Sequence, residues 1–389
     1  MGILSNTVSI RQFRVVGDKP AANLPAWAGT RLADFGFRSI EEGAEEQAIG
    51  WVEFDDPRES GFAAIHTFQR DHYFVFALRR DQRRLPATLF KQHFQQEEAD
   101  FLAAHPGFRR VPKQKREELR EKLRLRLLAK TLPTPCLWDV VWDTDQDLVT
   151  FASLSASAGD LLVEQFRKTF GGLRLTPVHP YGRAMDILEE PLRARLVAAN
   201  QAPTGEAVAL IEANRWLGCD FLLWLMHRTM AADSRYPVCR PGPAVAGEGF
   251  VSYLNDKLLL AGGDNPGGIQ KVAVSGPQDH FSEVRAALLS GKEIREAVLY
   301  MEKEEDLWKL HLKGDSFHFA SFKAPPVRIE KEDGNDPALE KEAVFFERMH
   351  LLESGLQLFD SLFAAFLRER LDGEWPHKNA AILAWLAES

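Results

Sequence analysis

FRRVPKQKREELREKLRLRLLAKTLP, residues 108–133, is the stretch on which the reading of this chain turns. Between Arg109 and Lys130 it carries ten Lys or Arg against three Glu. Pro112 suits the first turn of a helix, and residues 131–133 supply a stop. At about 100° per residue, Leu119, Leu123 and Leu127 form one apolar stripe. Arg116, Arg120 and Arg124 lie along one flank of it, and Lys115, Lys122, Arg126 and Lys130 along the other. Glu117, Glu118 and Glu121 fall on the far side. A solvated helix more often mixes its signs at i,i+4. Here, packing the stripe would present positive charge on both sides of it. The plain alternative is a charged surface helix with no ligand.

Outward from this helix, the pattern changes period. Thr7–Val16 alternates roughly with period two and predicts a strand, residues 50–54 and 72–79 predict two more, and 21–35 predicts a helix. Residues 85–101 predict a second helix with Pro86 in its first turn. After the basic helix, 137–154 predicts a hairpin turning at 144–147. A helix over 157–171 with Leu161, Leu162, Phe166 and Phe170 inward and a strand over 173–178 follow. The result is an α+β domain, residues 1–84 and 135–180, interrupted by a helical arm, 85–134.

Residues 181–249 read as a connector and an inserted helical segment, with one long apolar helix over 206–230 and a Pro- and Gly-rich loop over 236–249. A second α+β domain over 250–330 has strands at 250–261, 268–275, 293–302, 307–313 and 316–322. Its helix is at 282–289, with Ser282 as N-cap. Residues 331–389 close the chain with helices over 339–371, with a break expected at Gly355, and 379–386.

Composition bounds the rest. The 389 residues suffice for two or three domains, and 45% hydrophobic with 27% charged residues describe a globular protein. A formal charge of −8 argues against indiscriminate attraction to nucleic acid, but local field decides binding more than total charge does. Cys136, Cys219 and Cys239 are scattered without a CxxC pair, which predicts neither disulfide framework nor zinc site and fits a cytoplasmic location. The start MGILSNTVSI lacks the pattern of a secretory signal, and Asn6 does not suit myristoylation. Residues 216–230 contain Asp220, His227 and Arg228 and read as a buried helix, not a membrane span.

Several constellations carry chemistry elsewhere and fit poorly here. Asp143, Asp145 and Asp147 give D-x-D-x-D, but Leu148 and Leu154 stand where a calcium loop needs Gly and Glu, so a turn is favoured. With Asp139 the same cluster supports a metal-dependent nuclease as an alternative. GGDNPGG at 262–268 lacks the GK[ST] of a phosphate loop and reads as a turn. His311 and His318 suit neighbouring strands but lack a third metal ligand. The aromatic run 216–224 suits a core better than a base-stacking platform. Phe359, Phe363 and Phe366 fit either a dimer seam or a core. No cofactor is expected.

Taken together, the ordered pieces resemble the bacterial recombination-associated RdgC family. They are GWV at 50–52, LPATLFK at 85–91, the basic helix ending at Leu127 and Leu128, VVWD with its hairpin, and FRKTFGGLRLTPV at 166–178. Further on come SEVRAALLSGKEIREAVLYMEKEEDLWKLHLKGDSFHFASFK at 282–323 and a closing helical stretch. The resemblance implies a horseshoe-like α+β monomer that pairs into a ring dimer around duplex DNA without sequence specificity. It implies competition with the recombinase RecA, a nucleoid-associated location and no enzymatic activity. It places Leu132 where shorter relatives close the ring with an aromatic residue. It leaves SGPQ at 275–278, with Lys271 nearby, where they carry a basic pair.

The DNA-contacting residues expected on this reading are Arg109, Arg110, Lys113, Arg116, Arg120, Arg124, Arg126, Lys130 and Lys271. Arg120 and Arg124, one turn apart, come first, and reversing both to Glu should weaken binding to all duplex sequences alike. Lys and Arg on phosphates give affinity without reading bases. About six such contacts imply a log–log salt slope of about −5. Besides the nuclease, the alternative is a scaffold whose basic arm holds an acidic protein.

Overall fold

TVSIRQFRVV alternates because one side of it is inside. Val8 and Ile10 are buried, while Thr7, Ser9 and Arg11 stay partly open. In the computed structural model, which describes residues 2–20, 22–43, 45–231, 233–262, 268–277, 280–328 and 337–387, this stretch is strand β1 (Thr7–Val16). There follow α1 (Leu24–Asp34), β2 (Gln47–Glu53), β3 (Gln69–Arg70), β4 (Tyr73–Gln82), α2 (Ala87–Ala104) and α3 (Lys113–Lys130). Next are β5 (Thr134–Asp143), β6 (Leu148–Phe151), α4 (Ala156–Thr169), β7 (Arg174–Pro177), α5 (Pro180–Ile187), α6 (Leu192–Ala199), α7 (Ala207–Ala213) and α8 (Trp216–Met230). The chain continues through β8 (Arg235–Pro237), β9 (Gly249–Gly262), β10 (Gln270–Val274), α9 (Ser282–Leu289), β11 (Lys292–Lys303), β12 (Asp306–Lys313) and β13 (His318–Lys323). It closes with α10 (Pro337–Arg370) and α11 (Trp375–Ala387). The class is α+β with antiparallel sheets, as the sequence predicts.

The chain divides into two units. The arm unit is Gly17–Gln146 with Leu161–Arg174, and the C-terminal unit is Met1–Val16, Asp147–Asp160 and Leu175–Ser389. β1 counts with the latter because it hydrogen-bonds to β13, Val8 standing opposite Phe322.

In the arm unit, β5, β4 and β2 pair antiparallel in that order, with β3 on β4. The core behind them is aromatic: Trp51, Phe74, Phe76, Trp142, Phe166 and Phe170 are all buried. Each such side chain contributes on the order of 1.5–3 kcal/mol by leaving water. Trp51 keeps its one polar atom satisfied inside, donating from Nε1 to Thr169 Oγ1 at 2.6 Å. The glycine of GWV has a local cause. A Cβ on Gly50 would sit 2.4 Å from the Cα of Phe37, so β2 approaches that segment closely only with no side chain there.

In the C-terminal unit the strand order is β10-β9-β11-β12-β13-β1-β6, with β8 on β9 and β7 on β1. Phe221 of α8 lies in ring contact with Phe317 and with Phe359, Phe363 and Phe366 of α10. Those three phenylalanines are fully buried core, which resolves the alternative left open by their spacing. The run 216–224 is likewise core, with Leu217, Phe221, Leu222 and Trp224 buried.

Several local expectations change. α10 runs unbroken through Gly355, which is a close-approach residue: a Cβ there would lie 2.5 Å from Trp308 Cδ1. The segment predicted as one helix over 206–230 is α7 and α8, separated at Asn214. The Asn214 amide turns back to Asn200 Oδ1 at 2.7 Å and to the Leu210 carbonyl at 2.9 Å. The connector folds into α5 and α6. Ser282 is the first helical residue of α9, and the cap is Phe281, in the left-handed region at φ +51° with a buried ring. His311 stands opposite Ser321, and His318 opposite Lys313, so the two histidines do not face each other. The expected turn at 262–268 falls largely on residues 263–267, outside the described residues, as does Gln278.

Candidate nucleic-acid interface

Helices α2 and α3 form a hairpin joined by residues 105–112. Pro86 and Pro112 are the N-caps of the two helices and not first-turn residues; both hold extended backbone that leads into a helix. The predicted stripe is the packed face. Leu123 is 1% exposed, Leu119 and Leu127 are half-buried, and Leu128 joins them at 3%. On α2 the buried residue is Phe94, whose ring lies 5.5 Å beneath the Arg116 guanidinium.

The arm's cations divide into two electrostatic groups. In the first, α2 supplies carboxylates. Arg116 Nε donates to Glu98 Oε1 at 2.5 Å and Arg126 Nη2 to Glu97 Oε1 at 2.5 Å. Arg124 Nη2 reaches Glu46 Oε1 at 2.5 Å, and Lys115 Nζ pairs with Glu118 at 2.9 Å along its own helix. These arginines remain about half exposed, so each pair is worth roughly 0–1 kcal/mol and exchanges readily.

In the second group, Arg109, Arg110, Lys113, Arg120, Lys122 and Lys130 are exposed and make no ion pair among the described residues. Arg109 and Arg110 sit in the interhelix loop, and Lys113 is the first residue of α3. Lys271, on β10 of the C-terminal unit, is exposed opposite Ala261. Leu132 is 81% exposed just past the end of α3.

At the arm's root lies a cleft of about 620 Å³, lined among others by Glu46, Arg83, Leu85, Phe90, Arg120 and Arg124. Arg83 is 4% exposed and fixed by its own backbone surroundings. Its two Nη atoms donate to the carbonyls of Ile40, Glu41, Gly43 and Glu45 at 2.7–3.2 Å. It thus brings a positive charge to the cleft with no carboxylate bonded to it among the described residues.

The aspartate cluster is a turn. Asp143 Oδ1 accepts from the backbone N–H of Asp145 and of Gln146, both at 2.9 Å. Asp139 and Asp143 lie four residues apart on one strand, roughly 13 Å. Among the described residues, no three His, Cys, Asp or Glu gather so as to hold a metal ion.

Sequence reading found the cations of the arm but missed their acidic partners. Glu97 and Glu98 were written in QQEEAD, but only the pairing of α2 with α3 brings them under Arg126 and Arg116. Glu46 is far from Arg124 in sequence and carries no signal at all.

The arm unit is also where a comparison with known proteins falls. Residues 18–207 match the family model described as "Putative exonuclease, RdgC". Over those residues the chain belongs to the RdgC family. The match spans just under half of the 389 residues and contains the arm, the β5 strand and the aromatic core of the RdgC-like arm unit. Membership makes this a recombination-associated protein. No curated protein matches the chain. Among the described residues, no helix is long and apolar enough to cross a membrane.

Proposed function

We propose that this RdgC-family protein is a non-catalytic, sequence-independent binder of duplex DNA, acting in the cytoplasm at the nucleoid as a homodimer. Its role is to limit recombination by competing with a RecA-type recombinase for DNA. The observation that carries this reading is the set of six exposed arm cations that make no ion pair among the described residues, Arg109, Arg110, Lys113, Arg120, Lys122 and Lys130. Side chains of this kind gain phosphate contacts and condensed-counterion release without giving up an internal partner. Arg116, Arg124 and Arg126 are a reserve, each exchanging a carboxylate for a phosphate. Nothing in a row of mobile cations selects a base edge, so binding follows phosphate density and not sequence. A twofold dimer doubles the positive surface, and exposed Leu132 is the proposed apolar contact at the arm's end.

The test is duplex binding by fluorescence anisotropy at low salt. Lys113→Glu with Arg120→Glu should lower affinity by roughly tenfold or more, equally for AT-rich and GC-rich duplexes. Unchanged affinity in a variant that melts like the parent overturns the assignment. Incubation with end-labelled duplex and Mg²⁺ should leave the label in place; release of labelled nucleotides would establish the nuclease instead.

A further inference from the structure

RRLPATLF, residues 83–90, carries the chain from the end of β4 into α2 and builds one wall of the cleft at the arm's root. Pro86 stands at the N-cap and has no polar side chain, so no side chain bonds the first N–H groups of α2. The first turn holds no acidic residue either. The start of this 18-residue helix therefore keeps its share of the helix dipole, about half a positive charge. Leu85, Ala87 and Phe90 all line the cleft, so the helix start lies in its wall.

Three guanidiniums join it: Arg83 from the β4–α2 link, and Arg120 and Arg124 from α3. Arg83 is 4% exposed, and its Nη atoms are committed to the carbonyls of Ile40, Glu41, Gly43 and Glu45. Its Nε is buried and has no hydrogen-bond partner among the described residues. Few buried donors stay in that state, because the bond to water has been given up without a replacement. Arg120 is exposed and makes no ion pair among the described residues. Arg124 is held by Glu46 at 2.5 Å. Glu46 and Glu121 also line the cleft, and both are exposed. Three guanidiniums and a helix start thus face two carboxylates, one of which is already paired.

The rest of the lining is apolar. Leu128 is buried, and Leu85 and Phe90 are half-buried. Phe90 lies parallel to Phe94, with ring centroids 6.0 Å apart and planes 9° from parallel, which fixes the orientation of its ring. The cleft's volume of about 620 Å³ is that of a small-molecule site, far larger than an inorganic ion needs. An anion alone would leave the apolar side unfilled. An uncharged apolar molecule would leave the guanidiniums unanswered.

We infer that this cleft binds a small organic phosphate, its anionic head at the start of α2 and Arg120, its apolar or aromatic body on Phe90, Leu85 and Leu128. A helix start offers backbone N–H groups to a tetrahedral oxyanion, and a guanidinium matches two of its oxygens at once. The dianionic head suits a site with several cations better than a carboxylate does. Arg83 is already immobilised, so its charge acts on the ligand without a further loss of side-chain freedom. Arg124 is drawn from Glu46 to the head, since an exposed ion pair yields at little cost. The inference does not rest on the duplex-binding reading, which uses neither Arg83, Phe90 nor the start of α2.

Isothermal titration of the full-length protein with naphthyl phosphate, inorganic phosphate and naphthol tests the site. Naphthyl phosphate should bind at least about tenfold tighter than either of the others. Phe90→Ala should weaken it roughly three- to tenfold and Arg120→Gln roughly tenfold, in proteins that melt like the parent. Glu46→Gln should tighten it about threefold by freeing Arg124 and removing a carboxylate, and misfolding does not produce a gain of this kind. No heat with naphthyl phosphate, or naphthol binding equally well, overturns the inference. Inorganic phosphate binding as tightly overturns the apolar half of the site. Parent-like binding by both Phe90→Ala and Arg120→Gln puts the ligand elsewhere and overturns the assignment, and weaker binding by Glu46→Gln overturns the placement of the head. Duplex anisotropy is read separately on the parent. A protein that binds duplex and ignores naphthyl phosphate sinks this inference alone, and the reverse pattern supports it while overturning the duplex reading.

Discussion

Arg124 Nη2 and Glu46 Oε1 lie 2.5 Å apart, joining the basic helix to the segment just before β2. The contact closes one side of the cleft that Arg83 and Arg120 also line. The arm's charge is thus partly spent on holding its own position, and the cations free for a polymer are a subset of those counted along the helix. Replacing Glu46 by Gln frees Arg124 at a cost of less than about 1 kcal/mol, because both groups are about half exposed.

Glu97→Gln with Glu98→Gln should strengthen duplex binding. The substitutions remove two carboxylates from the arm and release Arg116 and Arg126. If both then meet phosphates, the log–log salt slope steepens by about 2. Anisotropy titrations at a series of salt concentrations read both effects. Weaker binding with an unchanged melting temperature would show that these pairs shape the binding surface.

Leu132→Asp should shift the proposed dimer toward monomer. The residue is 81% exposed, so the substitution leaves the monomer's stability within about 0.5 kcal/mol. Sedimentation velocity measures the change in mass, and a sedimentation coefficient equal to the parent's would remove Leu132 from the interface.

Gly355→Ala should destabilise the C-terminal unit by roughly 1–3 kcal/mol. Its Cβ would meet Trp308 Cδ1 at 2.5 Å and Phe322 Cζ at 2.9 Å, and Trp308 is held in place by donating to the Leu351 carbonyl at 2.8 Å. Neither ring has room to retreat inside a packed core. Thermal melting with tryptophan fluorescence tests this, and a melting temperature at or above the parent's contradicts it.

Stability should fall as pH drops from about 6.5 toward 4. His318 takes a proton in the unfolded chain near its ordinary value but in the folded protein only at about 4. Within that window the unfolded state binds more protons, so acid favours unfolding, by up to about 3 kcal/mol for this group. His318→Gln should flatten that part of the profile. Urea melts of both proteins from pH 7 to pH 4 decide it: parallel profiles refute the assignment.

By itself, the sequence determined this protein's class and its main strands and helices, but not the division of 206–230 into two helices or the helices of the connector. Period-two stretches such as Thr7–Val16 became strands, and the Leu119, Leu123, Leu127 spacing became a packed helix face, because burial on one side writes its own periodicity into the chain. It also placed the basic arm and the family. Tertiary structure decided what periodicity cannot encode: which groups meet across long separations. Glu46 beside Arg124 and Gly355 beneath Trp308 are neighbours in space alone. Such contacts leave no local pattern, since electrostatics and close packing depend on distance between atoms and not on distance along the chain. For that reason the charge of the arm was readable from its residues, and the portion of it left free was not.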